Sequence, residues 1–309
     1  QHESKQSAKS SISLAQARSN QLQLDWEAYQ PPAPKQTGVY VEKNIDLELL
    51  RSYIDWTPFF NTWMLKGKYP QIFENPTVGK EAKKLFEEAN QVLDQCINDQ
   101  LLQAHAAIRI EAANAKGDDV VCDEGPTFHF LRQQGKKGSG LPNLCLADYV
   151  APRGNQDYMG GFAVTIHGAA DLSKQYEADH DDYSSIMIKA IADRLAEALA
   201  EMMHQKVRKE LWGYAPNESL NNEALIKEKY QGIRPAPGYP ACPDHTEKPA
   251  LFDWLSATEA IGVSLTESYA MWPASSVSGF YFSHPQSKYF GLGKIYQDQV
   301  EDYAKRKKL

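Results

Sequence analysis

The chain has 309 residues, of which 42% are hydrophobic and 24% charged, a globular balance that excludes disorder of the whole chain and supplies material for a sizeable core. A formal charge of −7, from 33 basic and 40 acidic side chains, argues against a protein that binds nucleic acid by neutralising phosphates. The cysteines Cys96, Cys122, Cys145 and Cys242 show no C-x-x-C spacing and so indicate neither a disulfide framework nor a cysteine-rich zinc site, while the lack of a signal-peptide core or of an apolar run of about 18 residues predicts no membrane span and a cytoplasmic location.

Residues 1–20 are rich in Ser, Gln, Lys and Ala and begin with Gln1 rather than Met. They read as an interdomain linker in a longer polypeptide, with one domain over residues 21–309. Ile45 to Tyr53 has apolar residues at helical spacing, and Pro58 predicts a helix boundary in the aromatic junction that follows. Thr77 to Ile97 is an amphipathic helix whose stripe is Val78, Ala82, Leu85, Phe86, Ala89, Val92 and Leu93. Between Ala106 and Thr165 the period shortens, and AAIRIEAANAKGDDVVCDE, TFHFLRQQ, LCLADYVAP and YMGGFAVTI read as strands, with a hairpin turn at Lys116–Asp119. These strands follow one another without intervening helices, which favours antiparallel pairing.

Asp181 to Trp212 is the longest periodic segment, acidic at its start and basic at its end as a helix macrodipole prefers. Ala250 to Gly262 returns to helical spacing, Ser264–Met271 and Ser278–Phe282 alternate as strands, and a charged helix closes the chain from Ile295. The blocks of helices and strands give an α+β class with no internal repeat.

Three places concentrate candidate chemistry. YQGIRPAPGYPACPDH (Tyr230–His245) is a stiff, proline-rich loop in which Arg234 offers a planar fork for a carboxylate, Gly238 admits close backbone approach and Tyr239 presents an aromatic face to a cation. A rigid connecting loop with an ordinary salt bridge explains the same residues. Around His284-Pro285, the aromatics Phe280, Tyr281, Phe282, Tyr289 and Phe290 are dense enough to cover an adenine ring, although alternation along a half-buried strand accounts for them equally well. On the long helix Asp193, Glu197, His204 and Arg208 share nearly one angular position, which usually marks a solvated face. Cys242 with His245, and Asp179 to Asp182, fall short of a full metal-ligand set. Dinucleotide, Walker A and nucleophile-elbow motifs are absent.

Seven segments, YIDWTPFF (Tyr53–Phe60), KYPQIF (Lys68–Phe73), LADYVAP (Leu146–Pro152), IKAIADRLAEA (Ile188–Ala198), RPAPGYPACPDHTEK (Arg234–Lys248), ESYAMWP (Glu267–Pro273) and SHPQSKY (Ser283–Tyr289), together resemble the C-terminal activation, or reactivation, domain of cobalamin-dependent methionine synthase. The resemblance runs from about Gln23 to Lys307, and the Arg-x-x-x-Gly-Tyr element is that family's S-adenosylmethionine signature. It implies a single C-shaped domain with a twisted antiparallel sheet and several helices, including one long helix. It implies a module of the methyltransferase of methionine biosynthesis, which binds S-adenosylmethionine as the methyl donor for reductive remethylation of cob(II)alamin. The implied partners are the cobalamin-binding module of the same polypeptide and flavodoxin or an equivalent flavoprotein reductase.

Carried over by motif, Arg234 would hold the ligand's carboxylate, with Asp55 and Glu197 facing its amino group. Tyr239 would lie near the sulfonium, Gly238 would meet the nucleoside, and Tyr289 with Phe290 would line the nucleoside pocket. No D-x-H-x-x-G motif and no zinc-cysteine set is present, so cobalamin and zinc belong to other modules of the parent enzyme, and the isolated chain should bind ligand without turnover. Relatives usually continue beyond the position of Leu309. The competing readings are a free-standing S-adenosylmethionine-dependent methyltransferase and a docking-only module.

Overall fold

In a computed structural model, which describes residues 11–308, the frame is an antiparallel sheet whose central strand serves three neighbours. Its strands are β1 (Gly38–Ile45), β2 (Gln103–Lys116), β3 (Asp119–Cys122), β4 (Thr127–His129), β5 (Tyr158–His167) and β8 (Ser276–Tyr281), while the short β6 (Ser264–Leu265) and β7 (Met271–Trp272) pair with each other in a separate ribbon. β2 pairs with β5 along one edge; on the other it pairs first with β1 and then, past Ala112, with β3. The main path is β4-β3-β2-β5-β8, every pairing is antiparallel, and the sheet curls. The expected turn is present, with Lys116 paired to Asp119 and Gly117 at φ +65°.

Among the described residues ten α-helices accompany it: α1 (Leu14–Ser19), α2 (Leu47–Arg51), α3 (Thr57–Thr62), α4 (Gly79–Asn98), α5 (Ala169–Ala178), α6 (Asp182–Lys206), α7 (Asn222–Ile226), α8 (Lys248–Leu255), α9 (Ala257–Ile261) and α10 (Gln297–Lys307). The sheet is buried on both faces, which is why β5 reads as a continuous apolar run rather than an alternating one. Phe162, Val164 and Ile166 face a core shared with α2, α3, α4 and α6, while Met159 and Ala163 face a second core under α8 and α9. Gly161 lets α8 descend onto the sheet, since a Cβ there would stand 2.7 Å from the Trp254 ring. On α4 the buried residues are Gly79, Ala82, Leu85, Ala89, Leu93 and Cys96, the three-and-four spacing read from sequence.

Several expectations need correction. LCLADYVAP is no strand: Leu146–Tyr149 is a 3₁₀ turn, because the Asp148 carboxylate takes the Cys145 N–H at 2.9 Å and is itself forked by Arg132. The helix expected over 250–262 breaks at Ser256, which adopts φ +50°. β1 and α5 were not anticipated. The linker expected over residues 1–20 lies partly outside the described residues, and from Ser11 onward it packs against the domain. Ser13 and Gln16 form a capping box at the start of α1, Leu14 and Ala17 are buried, and Arg18 bridges Asp118 and Asp302 at 2.8 and 2.6 Å.

Candidate functional site

α6 runs past the junction after α2 and under the loop that carries Arg234, and the three enclose a cleft of about 370 Å³. One wall is the polar side of α6, with Arg194, Glu197 and Glu201; Tyr53, Asp55 and Pro58 form the rim, and Leu225, Ile226, Glu228, Tyr230 and Arg234 close it. Four carboxylates and two guanidiniums therefore face a small volume. That pattern suits a ligand bearing both a carboxylate and cationic groups.

Each side chain is placed by its local structure. The opposite side of α6 is core, with Leu195, Leu199 and Met203 fully buried, so the helix cannot rotate to withdraw Glu197 or Glu201. Asp55 accepts the Thr57 N–H at 2.9 Å through Oδ1, fixing the start of α3 and leaving its second oxygen at the cleft. Arg234 donates from Nη1 to Glu201 Oε2 at 2.7 Å and to the Tyr230 hydroxyl at 3.0 Å, and its backbone N–H donates to the Tyr289 hydroxyl at 3.0 Å. Its side chain keeps 18% of its surface exposed. Burial opposes the Arg234 charge, but Glu201, Tyr230 and Tyr289 together outweigh burial and hold the guanidinium pKa above its ordinary value.

Beneath the cleft the buried floor is polar. Arg208 forks Glu218 through Nε and Nη2 at 2.8 and 2.7 Å, and its Nη1 stands 3.7 Å from Glu201 Oε1. His204 lies between the rings of Tyr281 and Tyr230, and burial with the nearby Arg208 and Arg234 charges keeps it neutral, its pKa pushed well down. The ladder expected to face solvent is thus wrong for two of its members: His204 and Arg208 are fully buried, because the Tyr230 ring packs over both and Tyr281 stacks on His204.

Of the seven residues carried over from sequence, Asp55, Glu197 and Arg234 line this cleft and the other four stand outside its lining. Tyr289 supports Arg234 from behind. Tyr239 is 56% exposed, and its pKa is raised by partial burial and then by the Glu197 charge. Gly238 has φ +98° and a Cβ there would sit 2.3 Å from His245 Cε1, so the glycine is required by the fold of the loop itself. Phe290 packs against the second core.

A sequence profile for the activation domain of vitamin B12-dependent methionine synthase matches residues 46–308. The chain belongs to this family. Among solved structures, one described as the MetH reactivation domain bound to AdoHcy is 51% identical, with a TM-score of 0.94, covering 97% of this chain and 94% of that one. The activation domain thus carries the cleft of Asp55, Glu197 and Arg234 on its α+β frame. Sequence reasoning missed Glu201, Glu228, Tyr230 and Arg194 in that cleft. A signal for Glu201 existed, since it lies four residues after Glu197 and four before Gln205 on the same helix.

Proposed function

We propose that this activation domain binds S-adenosylmethionine in the cleft between α6 and the Arg234 loop. Bound there, the ligand supplies an electrophilic methyl group on its sulfonium for reductive remethylation of a cob(II)alamin carried by another module of the same polypeptide. The observation that carries the reading is the charge layout, with a forked arginine at one end and Asp55 and Glu197 on the wall beside it. Arg234 takes the carboxylate, Asp55 and Glu197 face the ammonium, and Tyr239 lies beside the sulfonium. Gly238 with its neighbouring backbone, Tyr289 and Phe290 receive the nucleoside. The solved relative's AdoHcy, which shares the amino-acid tail and the nucleoside, supports the assignment.

The domain's chemistry is therefore to hold and orient a methyl donor. Turnover requires the cobalamin module and a reducing partner, flavodoxin or another flavoprotein, in a cytoplasmic enzyme of methionine biosynthesis. Isothermal titration of the chain with S-adenosylmethionine tests the reading. Saturable binding is expected, weakened in Arg234→Ala by about 1.5–3 kcal/mol, the range for hydrogen bonds to charged groups. No saturable heat with the unaltered chain would overturn it, and transfer of labelled methyl by the chain alone would favour a free-standing methyltransferase.

A further inference from the structure

The residue that governs Arg234 is Glu201, to which no ligand role was assigned from sequence. Arg234 is anchored at three points: its backbone N–H on Tyr289, and Nη1 on both Glu201 and Tyr230. Among the described residues no group accepts from its Nε or Nη2. We propose that Glu201 is a positioning residue that pins one nitrogen of the guanidinium so that the free Nε–Nη2 edge is presented to the ligand's carboxylate. The proposal rests on the S-adenosylmethionine reading above.

Three observations carry it. Glu201 belongs to the packed helix α6 and its side chain is only 9% exposed, so its oxygens are fixed in space. Its Oε2 is committed to Arg234, which leaves Asp55 and Glu197 rather than Glu201 to meet an ammonium. Its Oε1 has no hydrogen-bond partner and faces Arg208 Nη1, which has none either, across 3.7 Å. A ligand carboxylate docking on Arg234 brings a second anion close to Glu201. The Arg208 guanidinium, itself held in place by Glu218, stands 3.7 Å from Glu201 and offsets that repulsion. A planar fork held on one edge by a carboxylate and open on the other is organised before the ligand arrives, so little rotamer entropy is lost on binding.

The test compares two ligands that differ only in the group Arg234 would grip: S-adenosylmethionine and its decarboxylated analogue, which keeps the amine, sulfonium and nucleoside. Titration calorimetry on Glu201→Ala should show S-adenosylmethionine weakened about tenfold or more, with the analogue unchanged within about threefold, as expected for losing the order of one charge-assisted contact. Glu201→Gln, whose amide oxygen still accepts from Nη1, should recover most of the affinity. Should Glu201→Ala fail to fold by circular dichroism, Glu201→Asp withdraws the carboxylate from Nη1 without removing its charge and must show the same selective loss. Equal weakening of both ligands would mean that Glu201 acts on the amine or on the fold at large, and unchanged affinity for both would mean that Arg234 needs no anchor; either overturns the proposal. An unaltered chain that binds neither ligand overturns the parent reading and this one with it.

Discussion

The Arg234–Glu201 pair makes a prediction about stability that needs no ligand. Removing one member of a buried ion pair typically costs about 3–5 kcal/mol, because the other charge is left without compensation. Two features reduce that here: Arg234 retains 18% exposure, and Arg208 Nη1 lies 3.7 Å from the abandoned carboxylate. We therefore expect Arg234→Met to destabilise the chain by about 2–3 kcal/mol, equivalent to a fall in Tm of about 3–5 °C for a domain of this size. Replacing both partners, Arg234→Met with Glu201→Leu, removes the uncompensated charge and should return stability to within about 1 kcal/mol of the starting chain. Urea denaturation of the four members of the cycle, followed by circular dichroism, measures the coupling directly. A single mutant within about 0.5 kcal/mol of the unaltered chain, or a double mutant worse than the sum of the singles, would refute the claim that these two charges depend on each other.

Other features give shorter tests. Gly161→Val should destabilise by about 2 kcal/mol or more through overpacking, since a first side-chain carbon already meets Trp254 at 2.7 Å and Leu251 at 2.8 Å; thermal unfolding checks this, and Gly291→Ala, where a Cβ meets nothing and φ is not positive, controls for the loss of a glycine without overpacking. Burial pushes the His284 pKa down to about 4, and its Nδ1 accepts the Gln286 N–H at 3.1 Å, an acceptance only the neutral ring can make. The unfolded chain binds that proton near pH 6.5 and the folded one near 4, so stability falls as pH drops through this window. Nuclear magnetic resonance of labelled histidines should find the His284 ring neutral at pH 5.5, and protonation near its ordinary value would contradict the burial argument. Arg18→Ala removes the bridges to Asp118 and Asp302 and should speed amide exchange in α1 and the facing end of α10 while leaving β5 protected, as hydrogen-exchange mass spectrometry can read.

How much of this was legible depends on whether a signal was local. α4 and α6 carried their periods openly, and the apolar run at β5 followed from double burial. β1 did not, because Val39, Val41 and Lys43 are exposed and only Ile45 of GVYVEKNI is buried, so the strand is defined by its partner β2 rather than by its own pattern. α1 was hidden by polar composition, although Ser13 and Gln16 spell a capping box. In the site, Asp55, Glu197 and Arg234 were found through family motifs spread over about 180 residues of sequence, and only folding shows that they face one cleft. Glu201 and Tyr230 escaped because their importance lies in what they do to Arg234, a relation between distant segments. His204 and Arg208 looked like surface residues because a charged ladder on a helix says nothing of what will be packed over it.

α6 also bears on how such a domain can change over time. Its carboxylates project from a helix whose other side is locked into the core, so drift at Glu197 or Glu201 is judged by the fold as well as by the ligand. Asp55 and Arg234 sit on connecting segments, where insertions and substitutions are tolerated more readily. A lineage that altered its ligand would be expected to rewrite those two segments first, keeping α6 as an inherited ruler against which each new loop is measured.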